Sequence, residues 1–117
     1  MEPLAVYRQT ARERAQRTAQ ARRQRREKAW EVARAAAALL KSRYHATRVV
    51  AFGSLPQADR FHLWSDVDLA AWGLAPADYF DAVAKVLDIG GEIKVDLIMA
   101  EKSKPYLREA ISQGTEL

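Results

Sequence analysis

Apolar and polar positions along the chain change period several times, and each change marks an element. From about Arg8 to Tyr44 the residues are mostly Ala, Arg, Gln and Glu, with no Gly or Pro after Pro3, which predicts one long helix. Its C-terminal part carries Trp30, Ala33, Ala37, Leu40 and Tyr44 at steps of three and four, a stripe able to pack on a sheet. Upstream the stripe thins to Ala11, Ala15 and Ala19 between arginines. That is too little apolar area to hold a helix on a core, so this part, above all RRQRREK at 22–28, is expected to project or to bind something. The β-branched run TRVVAF at 47–52 predicts a first strand closed by Gly53. DVDLAAW at 66–72 predicts a second, with Val67 and Leu69 facing away from Asp66 and Asp68. Between them Pro56 biases Leu55 away from helical backbone, so a helix after Ser54 would start at Pro56. Pro76 opens a helix with Phe80, Val83, Ala84 and Leu87 as its apolar face, stopping before Gly90 and Gly91. IKVDLIM at 93–99 is a third strand, and a last helix runs from Pro105 through Gln113 to a stop at Gly114.

Helices alternating with strands predict an α/β (α+β) fold, a small mixed sheet of three or four strands with helices packed on it. The expected organisation is a basic N-terminal helix over 1–44 and a compact core over 45–117. No internal repeat or low-complexity linker interrupts it. At 117 residues a single domain is expected, with no room for a second substrate-binding lobe. The absence of cysteine excludes disulfides, thiol nucleophiles and Cys-ligated zinc. No apolar run approaches the ~20 residues of a membrane span, and the basic start lacks a signal-peptide core, so a soluble cytoplasmic protein is expected.

Charge divides the chain. Residues 1–43 hold 12 Lys/Arg against 4 Asp/Glu, a net +8, whereas residues 44–117 are net −4. The acidic part contains an odd placement: Asp66 and Asp68, two apart on a strand, point to one face roughly 7 Å apart and repel unless a cation sits between them. Asp96, between Val95 and Leu97, is a third carboxylate in a strand interior, where an unpartnered charge is costly. If the second and third strands are neighbours, three hard oxygen donors converge, a set suited to magnesium or manganese. Gly53 lets a phosphate approach the backbone, and Ser54 adds a hydroxyl donor. Phosphate donors beside a carboxylate metal cluster point to phosphoryl or nucleotidyl transfer.

Competing readings have sequence arguments of their own. Asp66 and Asp68 could be a solvated strand start, and Asp96 could pair with a nearby Lys or Arg. An EF-hand reading of DVDLAAWG fails because Ala70 and Ala77 stand where acidic ligands are needed. Ser54 in FGSLP lacks the second glycine of a nucleophile elbow. His45 and His62 read as surface or helix-end residues, and Phe61, Trp64 and Trp72 as core or pocket wall.

Taken in order, VVAFGS, WSDVDLA and VDLI resemble the DNA-polymerase-β-like nucleotidyltransferases, most closely the minimal nucleotidyltransferases of the HEPN/MNT type. The resemblance covers residues 47 to about 117, with eleven residues between Gly-Ser and Asp-x-Asp and Ala58 where the family often has glycine. It implies that Gly53 and Ser54 bind the phosphates of ATP. It also implies that Asp66 and Asp68 bind Mg2+ or Mn2+, and that Asp96 binds metal and takes the proton of the attacking hydroxyl. It further implies an antitoxin that transfers AMP from ATP to a tyrosine of a HEPN-domain ribonuclease partner. Three other functions remain open: a related fold that neutralises its partner by contact alone, a nucleic-acid-associated protein using the basic helix, and a transferase acting on a small acceptor. The basic helix could equally contact a protein partner or a second copy of the chain.

Overall fold

The computed structural model describes residues 2–117 and contains three α-helices and a four-stranded sheet. Helix α1, Pro3–Tyr44, is a single 42-residue rod, about 63 Å long at 1.5 Å per residue. It starts five residues before the predicted Arg8, because Pro3 occupies the first helical turn, where its fixed φ and missing N–H cost nothing. His45 ends it in the left-handed conformation at φ 60°. Only the C-terminal part is packed: Ala29, Val32, Ala33, Ala36, Ala37, Leu40 and Tyr44 are buried against the sheet. Trp30, predicted on that stripe, lies only partly under cover. Nearly all of residues 2–18 are exposed, Leu4 at 63% and Tyr7 at 73% among them, so the rod overhangs the core and the molecule measures 66 × 28 × 18 Å.

Strand β1, Arg48–Phe52, pairs antiparallel with β2, Val67–Trp72. Helix α2, Tyr79–Gly90, preceded by a 3₁₀ turn at Pro76–Asp78, crosses over to β3, Val95–Met99, which lies parallel to β2. A 3₁₀ turn at Ala100–Lys102 leads to α3, Pro105–Ser112, and the two-residue strand β4, Thr115–Glu116, closes the sheet in the order β3-β2-β1-β4. Period-2 alternation sorts the strands between two apolar layers. Val49, Ala51, Val67, Leu69, Ala71, Val95 and Leu97 meet α1 and α2, while Val50, Phe52 and Ala70 meet Ile111 and Leu107 of α3. Among the described residues no helix is long and apolar enough to cross a membrane.

No helix opens at Pro56 after Ser54: residues 53–66 are turns and irregular backbone, with Gln57 N–H bonded to Ser54 O (3.0 Å) and Arg60 N–H to Gln57 O (2.9 Å). Other expectations are corrected. Helix α2 is apolar on two sides, and the face it buries is Ala82, Val86 and Gly90 with Tyr79, Val83 and Ile89, leaving Phe80 82% exposed and Leu87 exposed. It runs through Gly90 because that residue presses on β3, where a Cβ would stand 2.9 Å from Val95 Cγ2. Within RRQRREK, Arg25 and Arg26 do not project; both bond to the core.

Candidate active site

Register decides what the aspartates can share. In the parallel β2–β3 ladder Asp68 stands directly opposite Asp96, with Val67 opposite Val95 and Leu69 opposite Leu97. Both carboxylates fall on the side of the sheet that carries α3, opposite the α1–α2 layer. Asp66 lies just outside β2, one residue before the strand begins at Val67, whose N–H bonds to Lys94 O at 2.9 Å. All three aspartates are half-buried.

The electrostatics are those of crowded like charges. Burial, then the Asp96 carboxylate, then that of Asp66 push the Asp68 carboxyl up from 3.8 to about 6, against a smaller opposing pull from Lys94. Lys94 Nζ lies 3.3 Å from Asp96 Oδ1, so the paired reading of Asp96 describes its present partner. That pair is between half-exposed side chains and contributes at most about 1 kcal/mol. Among the described residues no three acidic or imidazole groups enclose an ion with the side chains as they stand. The donor chemistry nonetheless fits a divalent cation: the cluster consists of hard carboxylate oxygens, and the ionisation of Asp68 is opposed by its neighbours, which such a cation would relieve.

The Gly53–Ser54 bend follows β1 and presses on this cluster. Phe52 pairs with Asp68, Gly53 adopts φ +72°, and a Cβ on Gly53 would stand 2.4 Å from Asp68 Oδ2. Glycine is therefore required twice, by backbone sign and by the carboxylate lying against it. Beyond the bend opens a cavity of about 560 Å³, lined among others by Ser54, Gln57, Asp59, Arg60 and His62 and by Gln113 of the turn after α3. The predicted residues thus meet in two adjoining groups, Gly53 and Ser54 on the cavity wall and the aspartates behind Gly53. Sequence reading passed over Gln57, Asp59 and Arg60, an amide, a carboxylate and a cation that follow the Gly-Ser bend and also line the cavity.

The aromatic residues divide. Phe61 is fully buried, as expected. Trp72 is half-buried with the Arg48 guanidinium 4.4 Å from its ring centre. Trp64, expected in core or pocket wall, is 77% exposed and stacks on His62 at 5.6 Å, because it sits at the tip of the turn that Ser65 closes on His62.

No family model matches the chain, and no curated protein sequence does. Solved structures do. One, assigned as a minimal nucleotidyltransferase, matches with a TM-score of 0.56 and 27% identity over 80% of this chain and 88% of that one. The chain has the minimal nucleotidyltransferase fold. A second structure of that fold, a mutant of the toxin-antitoxin MntA-HpeT, matches with a TM-score of 0.52 and 20% identity, covering 67% of this chain and 64% of that one. In the minimal nucleotidyltransferase fold of this chain, α1 beyond the packed stripe is the part that overhangs the sheet.

Proposed function

We propose that the protein is a metal-dependent nucleotidyltransferase, the antitoxin of a HEPN/MNT pair, which transfers AMP from ATP to a tyrosine hydroxyl of a HEPN-domain partner. The observation that carries this is the alignment of Asp68 with Asp96 across two parallel strands, with Gly53 against Asp68. Toxin-antitoxin pairing of a structural neighbour supports a protein acceptor. Magnesium or manganese, held by Asp66, Asp68 and Asp96, would supply charge neutralisation of the triphosphate and a Lewis acid for the attacking and leaving oxygens. The chain's own groups do the rest. Backbone N–H groups at the Gly53 bend and the Ser54 hydroxyl hold phosphate oxygens, and Arg60 on the cavity wall offsets their charge. The tyrosine oxygen bonds to the α-phosphorus as the bond to pyrophosphate breaks, and Asp96 accepts the phenolic proton.

Incubation with labelled ATP, Mg2+ and the HEPN partner should label that partner on tyrosine with release of pyrophosphate. Equal labelling by Asp66→Asn/Asp68→Asn would refute the reading. The ion pair of Lys94 with Asp96 favours a second reading, neutralisation of the toxin by contact without transfer. Under it the double variant would still protect cells from the toxin.

A further inference from the structure

The eleven residues between the glycine-serine bend and the aspartates, 55–65, form neither helix nor strand, yet they separate the two halves of the candidate site. Two side chains, Leu55 and Phe61, bury this loop from within. Its ends are held from outside, by neighbouring residues of α1. Arg26 donates from Nε to the carbonyl of Leu55 at 3.0 Å, and Arg25 donates from a terminal nitrogen to the carbonyl of Ser65 at 3.0 Å. Leu55 follows Gly53 by two positions, and Ser65 immediately precedes Asp66.

We infer that Arg25 and Arg26 are positioning residues for the site, one helical turn that grips both ends of the loop and places Ser54 and Asp66, the two candidate site residues that lie just beyond the β1–β2 ladder. Three observations favour this over incidental surface contacts. Both donors reach backbone carbonyls, which fix chain position in a way that contacts to mobile side-chain tips do not. The Arg26 guanidinium also lies 5.9 Å from the Trp30 ring centre, which helps fix its rotamer. Arg25 Nε is buried without a partner among the described residues, a cost that a solvated arginine would escape by swinging outward. The β1–β2 ladder fixes Gly53 against Asp68, and the rigid helix adds a hold on the residues that leave the ladder at either end of the loop. What the site does rests on the proposed transfer, whereas the grip itself rests on these bonds.

The test uses the full chain with Arg25→Met/Arg26→Met, which keeps the apolar stems. Hydrogen exchange is followed in residues 54–66 and in the three long strands, alongside kcat and KM for nucleotide transfer to the partner. The expected result is exchange about tenfold faster or more in 54–66, with the strands unchanged. The expected kinetic result is kcat down about tenfold, partly restored by Arg25→Lys/Arg26→Lys, whose single ammonium donors reach less well. Unchanged loop exchange overturns the inference, as does equal acceleration throughout the sheet, which would mean general destabilisation. A loosened loop with wild-type kcat and KM overturns it too. If the wild-type chain transfers no nucleotide, the transferase reading falls, and the exchange comparison still decides the grip.

Discussion

Two charged regions of this molecule behave in opposite ways. The overhanging part of α1 carries Arg8, Arg12, Glu13, Arg14 and Arg17 within ten residues, yet these side chains lie in water, where each group keeps its hydration and its neighbours are screened. The start of β2 and β3 holds only three carboxylates, but they are half-buried, and there burial first, and then the repulsion of Asp96 and Asp66, pushes the Asp68 carboxyl up to about 6. Charge becomes chemistry where burial stops water from answering it. The arm shows what density without burial amounts to, namely a solvated helix.

The sharpest break of that comparison is removal of charge from each side. Asp66→Asn/Asp68→Asn is expected to lower nucleotide transfer by roughly 10³-fold, the several kcal/mol that metal assistance contributes. Arg12→Gln/Arg14→Gln/Arg17→Gln, a larger change in charge, should leave the chemical step within about twofold, as single-turnover measurements with saturating partner would show. Packing should follow the same division. Leu69→Ala, in the buried layer, is expected to cost about 2–5 kcal/mol in urea unfolding, against about 0.5 kcal/mol or less for Leu4→Ala on the arm.

Smaller effects sharpen the picture at the bend. Gly53→Ala places a Cβ at positive φ and against Asp68 Oδ2, so a loss of about 1–2 kcal/mol in stability is expected, part of it recovered when Asp68→Ala removes the obstructing carboxylate. The smallest effect is pH dependence. Because the folded chain holds the Asp68 proton more tightly than the unfolded chain, this group contributes stability at low pH that is lost as pH rises through about 6. Between pH 4 and pH 7 the wild type should therefore lose about 1 kcal/mol relative to Asp68→Asn, after allowance for solvent screening of a half-exposed group. Thermal unfolding of the two chains across that range reads the difference directly, and added Mg2+ should offset part of the loss at neutral pH.

Much of the fold was legible because period and punctuation agreed. Val49 to Phe52, Val67 to Trp72 and Val95 to Met99 are short apolar runs bounded by turns, and the stripe ending at Tyr44 has a helical step. The buried face of α2 was not legible, since Phe80 and Val86 are both apolar and only packing against β3 chooses between them. Strand β4 exists because Ala51 and Val50 offer it an edge, a contact more than 60 residues distant in the chain. For the site, the residues and their parity on the strands could be read, and the register could not. Nothing in VDL announces that Asp96 will stand opposite Asp68 and not beside Ala70. The reach of Arg25 and Arg26 across 40 and 29 residues was hidden for the same reason. In a linear reading they look like any other solvated arginines.

The uninterrupted course of α1 has a mechanical consequence. Sharp bends in helices arise at proline, glycine or a bulge, and none interrupts this one between Pro3 and Tyr44. Tyr7 stands about 27 Å along the axis from Arg25 at 1.5 Å per residue. Whatever grasps the free tip, therefore, holds a lever whose fulcrum is the packed alanine stripe and whose long arm carries both loop anchors close to that fulcrum.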